Sequence, residues 1–209
     1  MVWQEKSEVL VMLTQPSEKG EEKCSVYYPE TVGEALLVDE DLGVSVKCLS
    51  VVEESKTLVR ELKLVNGNEE RIVWHLFFPR WLDYTAPQRQ DQKAIFDLIK
   101  MSRFRMNDGR DQDQKVEVGP RIIHRSAGCG RTGTFIALDY LLQVMDGLKI
   151  KEFGNSDPVF ETVKRLREQR TKMVNKKEQY AFLYQALREL WEVRYKSGGF
   201  SYFSVKENR

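Results

Sequence analysis

Residues His124 to Gly133 read "HRSAGCGRTG", and their types and spacing suit the capture of an oxyanion. Gly128, Gly130 and Gly133 open backbone turns that are closed to other residues, so successive N–H groups can converge on one point. An apolar pair, Ile122 and Ile123, precedes the loop, and Phe135, Leu138, Leu141 and Leu142 follow at helical spacing. The loop therefore ends at a helix N-terminus, where unpaired N–H groups and the macrodipole favour negative charge. Arg131 adds a planar fork that fits two phosphate oxygens at once. The plain alternative is a glycine-rich strand-to-helix turn with an exposed arginine. It does not explain why glycines, arginine and helix start coincide.

Such a cradle needs a scaffold, and the flanking sequence predicts one. Val9–Thr14, "VLVMLT", is a short continuous apolar run, the pattern of a strand buried on both faces. "VSVKCLSVVEE" (Val44–Glu54) alternates in part and reads as a strand, as do "TLVRELKLV" and "RIVWHLFF". Asn66-Gly67 is a turn dipeptide, although the connection to Arg71 exceeds a two-residue hairpin. Ile72, Trp74, Leu76 and Phe78 share one face of the last strand, which turns His75 away with Val73 and Phe77. Pro29 stops any regular element after "CSVYY". From Gln88 the period becomes helical, with Ala94, Ile95, Leu98 and Ile99 on one stripe.

Asn107–Lys115 lacks apolar residues and reads as an exposed loop. After the cradle, the first helix holds Phe135 to Leu142. A second follows Pro158 with Phe160, Val163 and Leu166, and a third holds Leu183, Leu187, Leu190 and Trp191. Strands first, then a helical half with one interleaved strand, predict an α/β layered domain over residues 1–195. Residues 196–209 read as a tail with little power to fold alone.

Composition narrows the partners. The 209 residues suffice for a domain with a sizeable core. Lys and Arg number 33 against 32 Asp and Glu, and a net charge of +1 argues against nucleic-acid binding. Cys24, Cys48 and Cys129 are too few and too scattered for a disulfide framework or a zinc knuckle, and read as reduced thiols. The apolar run Val9–Leu13 is too short for a signal peptide or a membrane span, so a soluble cytoplasmic or nuclear protein is expected. His75 and His124 lie far apart in sequence and suggest no metal cluster. The loop spacing fits neither the dinucleotide nor the Walker pattern, so no cofactor is expected.

"HRSAGCGRTG" resembles the signature loop of the cysteine-dependent, non-receptor protein tyrosine phosphatases, His-Cys-Ser-Ala-Gly-x-Gly-Arg-[Ser/Thr]-Gly, at nine of ten positions. "MVWQEKSEVLVMLT", "EKGEEKCSVYYP", "WLDYTAP" and "MVNKKEQYAFLYQAL" are similar to further family segments, in the family's order, from Met1 to about Trp191. The resemblance implies a twisted mixed sheet flanked by helices, with the signature loop between a strand and a helix. It also implies a phosphotyrosine-containing protein as partner. In such enzymes a cysteine thiolate attacks phosphorus and forms a thiophosphate intermediate. A carboxylic acid on a mobile loop protonates the leaving tyrosyl oxygen, and a glutamine helps to place the hydrolytic water. A low-pKa sulfur suits the task because it is ionised at neutral pH and strongly nucleophilic.

The resemblance also distributes roles. Ser126, Ala127, Gly128, Cys129 and Gly130 would present the phosphate-binding backbone, and Arg131 would grip the phosphate. Asp83 matches the general acid with Trp81 beside it, and a solvated loop aspartate is the alternative. Asn175 falls at the water-positioning glutamine, and Gln179 matches the second glutamine of that segment. His124 resembles the histidine that orients the loop, or is a satisfied structural histidine. Glu18 resembles the carboxylate that holds the signature arginine, or is a surface glutamate. Thr132 resembles the hydroxyl that stabilises the thiolate, or simply starts the helix.

The departures matter as much as the matches. Arg125 stands at the nucleophile's position, where a guanidinium has no lone pair to offer and stays protonated. Crowded beside Arg131, it is expected to turn out of the pocket or to distort the loop. Cys129 occupies the variable position, whose side chain points away from phosphate in the family, so it is a poor substitute. Leu82 replaces the proline of Trp-Pro-Asp and frees the hinge. Asn175 is one methylene short, a loss of reach on the order of 1.5 Å. The family domain also begins well upstream of "MVWQEK", so roughly its first third is expected to be missing. Three functions follow: a catalytically dead phosphatase-like domain with weak phosphate or phosphotyrosine binding, a remnant with a partial fold, or an active phosphatase.

Overall fold

The computed structural model describes residues 1–39, 43–107, 119–146 and 153–196. Its elements run β1 (Val9–Met12), β2 (Ser17–Glu18), β3 (Glu21–Glu22), β4 (Ala35–Asp39), β5 (Val44–Glu54), β6 (Thr57–Asn66) and β7 (Glu69–Phe77). Then come α1 (Gln92–Asn107), β8 (Ile122–His124), α2 (Gly130–Asp146), α3 (Pro158–Gln169) and α4 (Lys177–Lys196). The chain divides into two compact units, Met1–Asp83 with Lys93–Ser126, and Tyr84–Gln92 with Ala127–Arg209.

The first unit is built on a mixed sheet of order β4-β5-β6-β7-β1-β8. Strands β4 to β7 pair antiparallel, while β1 pairs in parallel with β7 on one side and β8 on the other. That position explains why every residue of β1 is apolar and buried, since a central parallel strand has neither a wet face nor a free edge. Leu10, Met12, Val73 and Phe77 join Tyr28, Val46, Cys48, Leu62 and Leu64 in one core cluster. From Lys93 onward α1 belongs to this unit and buries Ala94, Ile95, Leu98 and Ile99, the stripe that the sequence predicts.

In the second unit α2 packs against both α3 and α4. Asp157 caps α3, accepting from the N–H groups of Val159 at 2.8 Å and Phe160 at 3.0 Å, with Pro158 in the first turn. Its other oxygen accepts from the Tyr184 hydroxyl at 2.6 Å, which ties the start of α3 to α4.

Several expectations need correction. The β6–β7 connection is a two-residue hairpin after all: Asn66 pairs with Glu69 across Gly67-Asn68, and Gly67 has φ +59°. Charged Glu69 and Glu70 hide the start of β7 from a hydrophobic pattern. The β5–β6 hairpin turns on Ser55 and Lys56, both left-handed at φ 47° and 64°. β4 and the small β2–β3 hairpin carry no sequence signal of their own. Phe160 and Trp191, expected on buried helix faces, are 53% and 52% exposed. Asn107, expected to open an exposed loop, is the last residue of α1, and residues 108–115 and 197–209 lie outside the described residues. Among the described residues no helix is long and apolar enough to cross a membrane.

Candidate functional site

The strand register decides which side chains meet in the first unit. Leu10 pairs with His75 and Ile122, and Met12 pairs with Phe77 and His124, so both histidines stand on one face of the sheet. The Tyr27 hydroxyl lies between them, 2.6 Å from Nε2 of His124 and 3.1 Å from Nε2 of His75. One hydroxyl proton serves one ring, so the best-satisfied arrangement of the two neutral imidazoles has opposite tautomers at Nε2, one accepting from Tyr27 and the other donating to it, with the Met12 sulfur at 3.7 Å as a weaker acceptor. Burial holds His75 well below the usual histidine range, with Arg60 and His124 adding to the effect. Burial also lowers His124, and a hydrogen bond with the Arg125 backbone pushes the other way.

Distance in sequence was therefore a poor guide to this pair. Tyr27 was missed by sequence reasoning, and the order β7-β1-β8 is the signal that would have brought the histidines together. The Leu13 N–H donates to the His124 carbonyl at 3.0 Å and fixes the strand end from which the loop departs.

Arg125 follows, and its side chain is only 5% exposed. Its Nη1 donates to Oδ1 of Asp83 at 2.5 Å, and the Asp83 side chain is 13% exposed. The residue expected at the nucleophile's position thus binds the residue expected at the general acid's position. Where expulsion or distortion was expected, the guanidinium stays buried with a carboxylate as counter-charge; its Nε has no partner among the described residues. Trp81, two residues before Asp83, is 1% exposed, whereas Leu82 is 53% exposed. Glu18 accepts from the Thr14 hydroxyl at 3.0 Å and from the Gln15 N–H at 3.4 Å, a local brace for the β2 hairpin.

The second unit contains the rest of the loop. Ser126 and Ala127 on either side of the unit boundary are exposed. Gly128 has φ +62°, a left-handed conformation that glycine adopts without strain. The Cys129 thiol donates to the Ala127 carbonyl at 3.2 Å, so it is turned onto the loop's own backbone. The Cys129 carbonyl accepts from the N–H groups of Gly133 at 3.0 Å and Val174 at 3.2 Å, joining the start of α2 to the turn before α4. That turn is braced in turn by Arg167, whose Nε and Nη2 donate to the carbonyls of Met173 and Val174 at 3.0 and 2.8 Å.

This closeness dictates glycine at 133, where the neighbours are backbone, and crowds position 130, where they are side-chain ends. A Cβ on Gly130 would stand 2.6 Å from the Asn175 side-chain oxygen, and one on Gly133 would stand 2.7 Å from the Val174 nitrogen. Asn175 therefore lies beside the first residue of α2. Gln179 is 1% exposed and donates to the Thr85 carbonyl at 3.1 Å. Arg131 is fully buried, which removes the alternative of an exposed arginine on a simple turn. Thr132 is 4% exposed, and its hydroxyl has no partner among the described residues. Arg170, which sequence reasoning missed, donates to the Ala127 carbonyl at 3.1 Å, and its guanidinium lies 3.7 Å from a Cβ built on Gly128. No local pattern marks it, because α3 ends there and only the fold returns it to the loop.

The protein-tyrosine phosphatase family model matches residues 1–189. The chain is 36% identical over 190 residues to tyrosine-protein phosphatase 2 of Schizosaccharomyces pombe, covering 88% of this chain and 25% of that protein. It is 35% identical over 197 residues to human receptor-type tyrosine-protein phosphatase epsilon, covering 91% of this chain and 25% of that protein. Identity to human tyrosine-protein phosphatase non-receptor type 12 is 32% over 192 residues, covering 92% and 23%. The chain thus spans about a quarter of the length of these curated relatives. A signature loop on its strand-to-helix turn and a family match over nearly the whole chain agree: the chain belongs to the protein-tyrosine phosphatase family.

Proposed function

We propose that this family member is a pseudophosphatase, a phosphatase domain over residues 1–195 that does not turn over phosphate esters. The observation that carries this reading is Arg125 at the nucleophile's position, buried and ion-paired to Asp83. A guanidinium has no electron pair to give to phosphorus, so no covalent phosphoenzyme can form on it. The carboxylate that would protonate the leaving oxygen already accepts from that guanidinium. The orphaned Thr132 hydroxyl fits the same reading, since its role by family resemblance is to stabilise a thiolate. Cys129 does not compensate, because its thiol is engaged with the Ala127 carbonyl.

Binding of phosphotyrosine or a free oxyanion is weak in this reading. Asp83 neutralises the added cation, and Arg131 has no solvent-exposed surface in this conformation. The described cysteines are free thiols, which together with a phosphoprotein partner fits a cytoplasmic or nuclear setting.

The test is turnover of a generic aryl phosphate by the parent and by Arg125→Cys. The expected outcome is no turnover by the parent and measurable turnover by Arg125→Cys. Turnover by the parent, or a phosphorylated adduct on it in a mass spectrum, sinks the proposal. If Arg125→Cys stays inert while unfolding cooperatively, the cause of inactivity lies outside position 125. Tungstate titration by calorimetry measures the binding part; tight binding contradicts it.

A further inference from the structure

Between α3 and α4 of the second unit lies a cleft of about 680 Å³, which adjoins the signature loop through Asn175 but is otherwise lined by residues of α3, α4 and the turn between them. Its floor is apolar, formed by Val163, Val174, Tyr180 and Ala181. On its α3 side stands Phe160, an aromatic ring left 53% exposed. The same cleft is lined by Lys164, Arg167, Lys176 and Lys177, against Glu168 as the acidic residue of the lining. A protein with a net charge of +1 has concentrated cations here.

The cations are held in different ways. Arg167 is anchored by its donations to the Met173 and Val174 carbonyls, so little side-chain freedom is lost if a ligand meets it. Lys176 lies over the Tyr84 ring at 5.0 Å. Lys164 and Lys177 are exposed and make no ion pair with any described carboxylate.

From these observations we propose that the cleft binds an acidic peptide segment carrying one large apolar side chain. The apolar side chain would pack on Phe160 and Val163, and flanking carboxylates would meet Lys164 and Lys177. Glu168 is what favours a peptide over nucleic acid: it would face the continuous negative charge of a phosphate backbone, whereas a peptide can leave that position neutral. The inference does not depend on whether the signature loop is catalytically dead, since it uses neither Arg125 nor Asp83.

The experiment measures fluorescence anisotropy of the full chain with a labelled peptide of glutamate and aspartate around a central phenylalanine. Lys164→Glu with Lys177→Glu is expected to weaken binding by about tenfold or more, since reversal turns attraction into repulsion. Phe160→Ala is expected to weaken it by about fivefold through loss of the apolar anchor. All three side chains are exposed, so unfolding midpoints should hold, and Lys164→Gln with Lys177→Gln provides a milder version. Lack of binding, indifference to charge reversal, or equal binding of a peptide without phenylalanine each overturns the proposal. So does tighter binding of single-stranded oligothymidine, or complete displacement by tungstate, which would place the peptide on the oxyanion loop.

Discussion

His124 and Arg125 open the loop from the sheet, while Gly128 to Gly133 close it onto α2, and the two ends are held in different ways, by side chains at the first and by packed backbone at the second. At the sheet end a single side chain carries the proposed loss of chemistry: Arg125 stands where the family resemblance puts a nucleophile, and it pairs with Asp83. At the helix end the backbone needed for an anion cradle persists, with Gly128 left-handed and Gly130 and Gly133 pressed against the turn at 173–175. A nucleophile is one side chain and can be lost in one step. A cradle of amides is a property of packed backbone, and any change there strikes neighbours. In the proposed reading, catalysis is lost while the architecture that would serve it is retained.

The comparison breaks most readily at the ion pair. Asp83→Ala leaves a cation buried without this carboxylate, and should lower stability by about 2–4 kcal/mol. Replacing both partners, as Arg125→Met with Asp83→Leu, should recover most of that loss, because two apolar groups need no counter-charge. Denaturant midpoints of the parent, the single variant and the double variant check both statements. An unchanged midpoint for Asp83→Ala would mean that Arg125 is accommodated without its counter-charge.

The helix end is tested by Gly133→Ala. The added methyl would meet the Val174 nitrogen at 2.7 Å and Met173 backbone atoms at 3.1 and 3.2 Å. Backbone there cannot swing aside as a long side chain would, so about 1–3 kcal/mol of destabilisation is expected from overpacking. Gly128→Ala is the contrast, with its nearest neighbour an arginine side chain at 3.7 Å; left-handed strain alone gives about 1 kcal/mol. Thermal or denaturant unfolding of both variants reads the difference. Equal losses would mean that conformation, rather than close packing, selects these glycines.

What the sequence discloses follows the same division between local and distant causes. β1 and β5 were legible because burial writes itself into a continuous or alternating apolar run, and α1 to α4 because the helical period is local. β4 was not: five residues pairing only with β5 at the end of the sheet leave too short a signal, and Leu37 is 55% exposed. Within the site, the loop glycines and the arginine among them, Arg125, could be read from a short stretch of residues. The Asp83–Arg125 pair could not, since it joins residues 42 apart. The Tyr27–His75–His124 contact and Arg170 were hidden for the same reason.

The smallest effect concerns that histidine pair and asks how firmly the sheet end holds the loop. Both rings have pKa values below the ordinary histidine value, through burial first. The unfolded chain therefore binds protons more readily than the folded one as pH falls through about 6.5. Stability from neutral rings is fully present above that pH and declines below it, until the folded-state values are reached. The slope is at most about 1.4 kcal/mol per pH unit for each histidine. Protonating the ring that accepts from Tyr27 makes its Nε2 a donor, so Tyr27 would face two donors and its own proton would be left with the Met12 sulfur, a weak acceptor at 3.7 Å. Tyr27→Phe should lower stability at neutral pH, and it should flatten the acid slope if the hydroxyl helps to keep the rings neutral. Denaturant titrations of parent and variant on either side of pH 6.5 separate the outcomes. If both slopes are equal, burial alone keeps the rings neutral and Tyr27 contributes only packing.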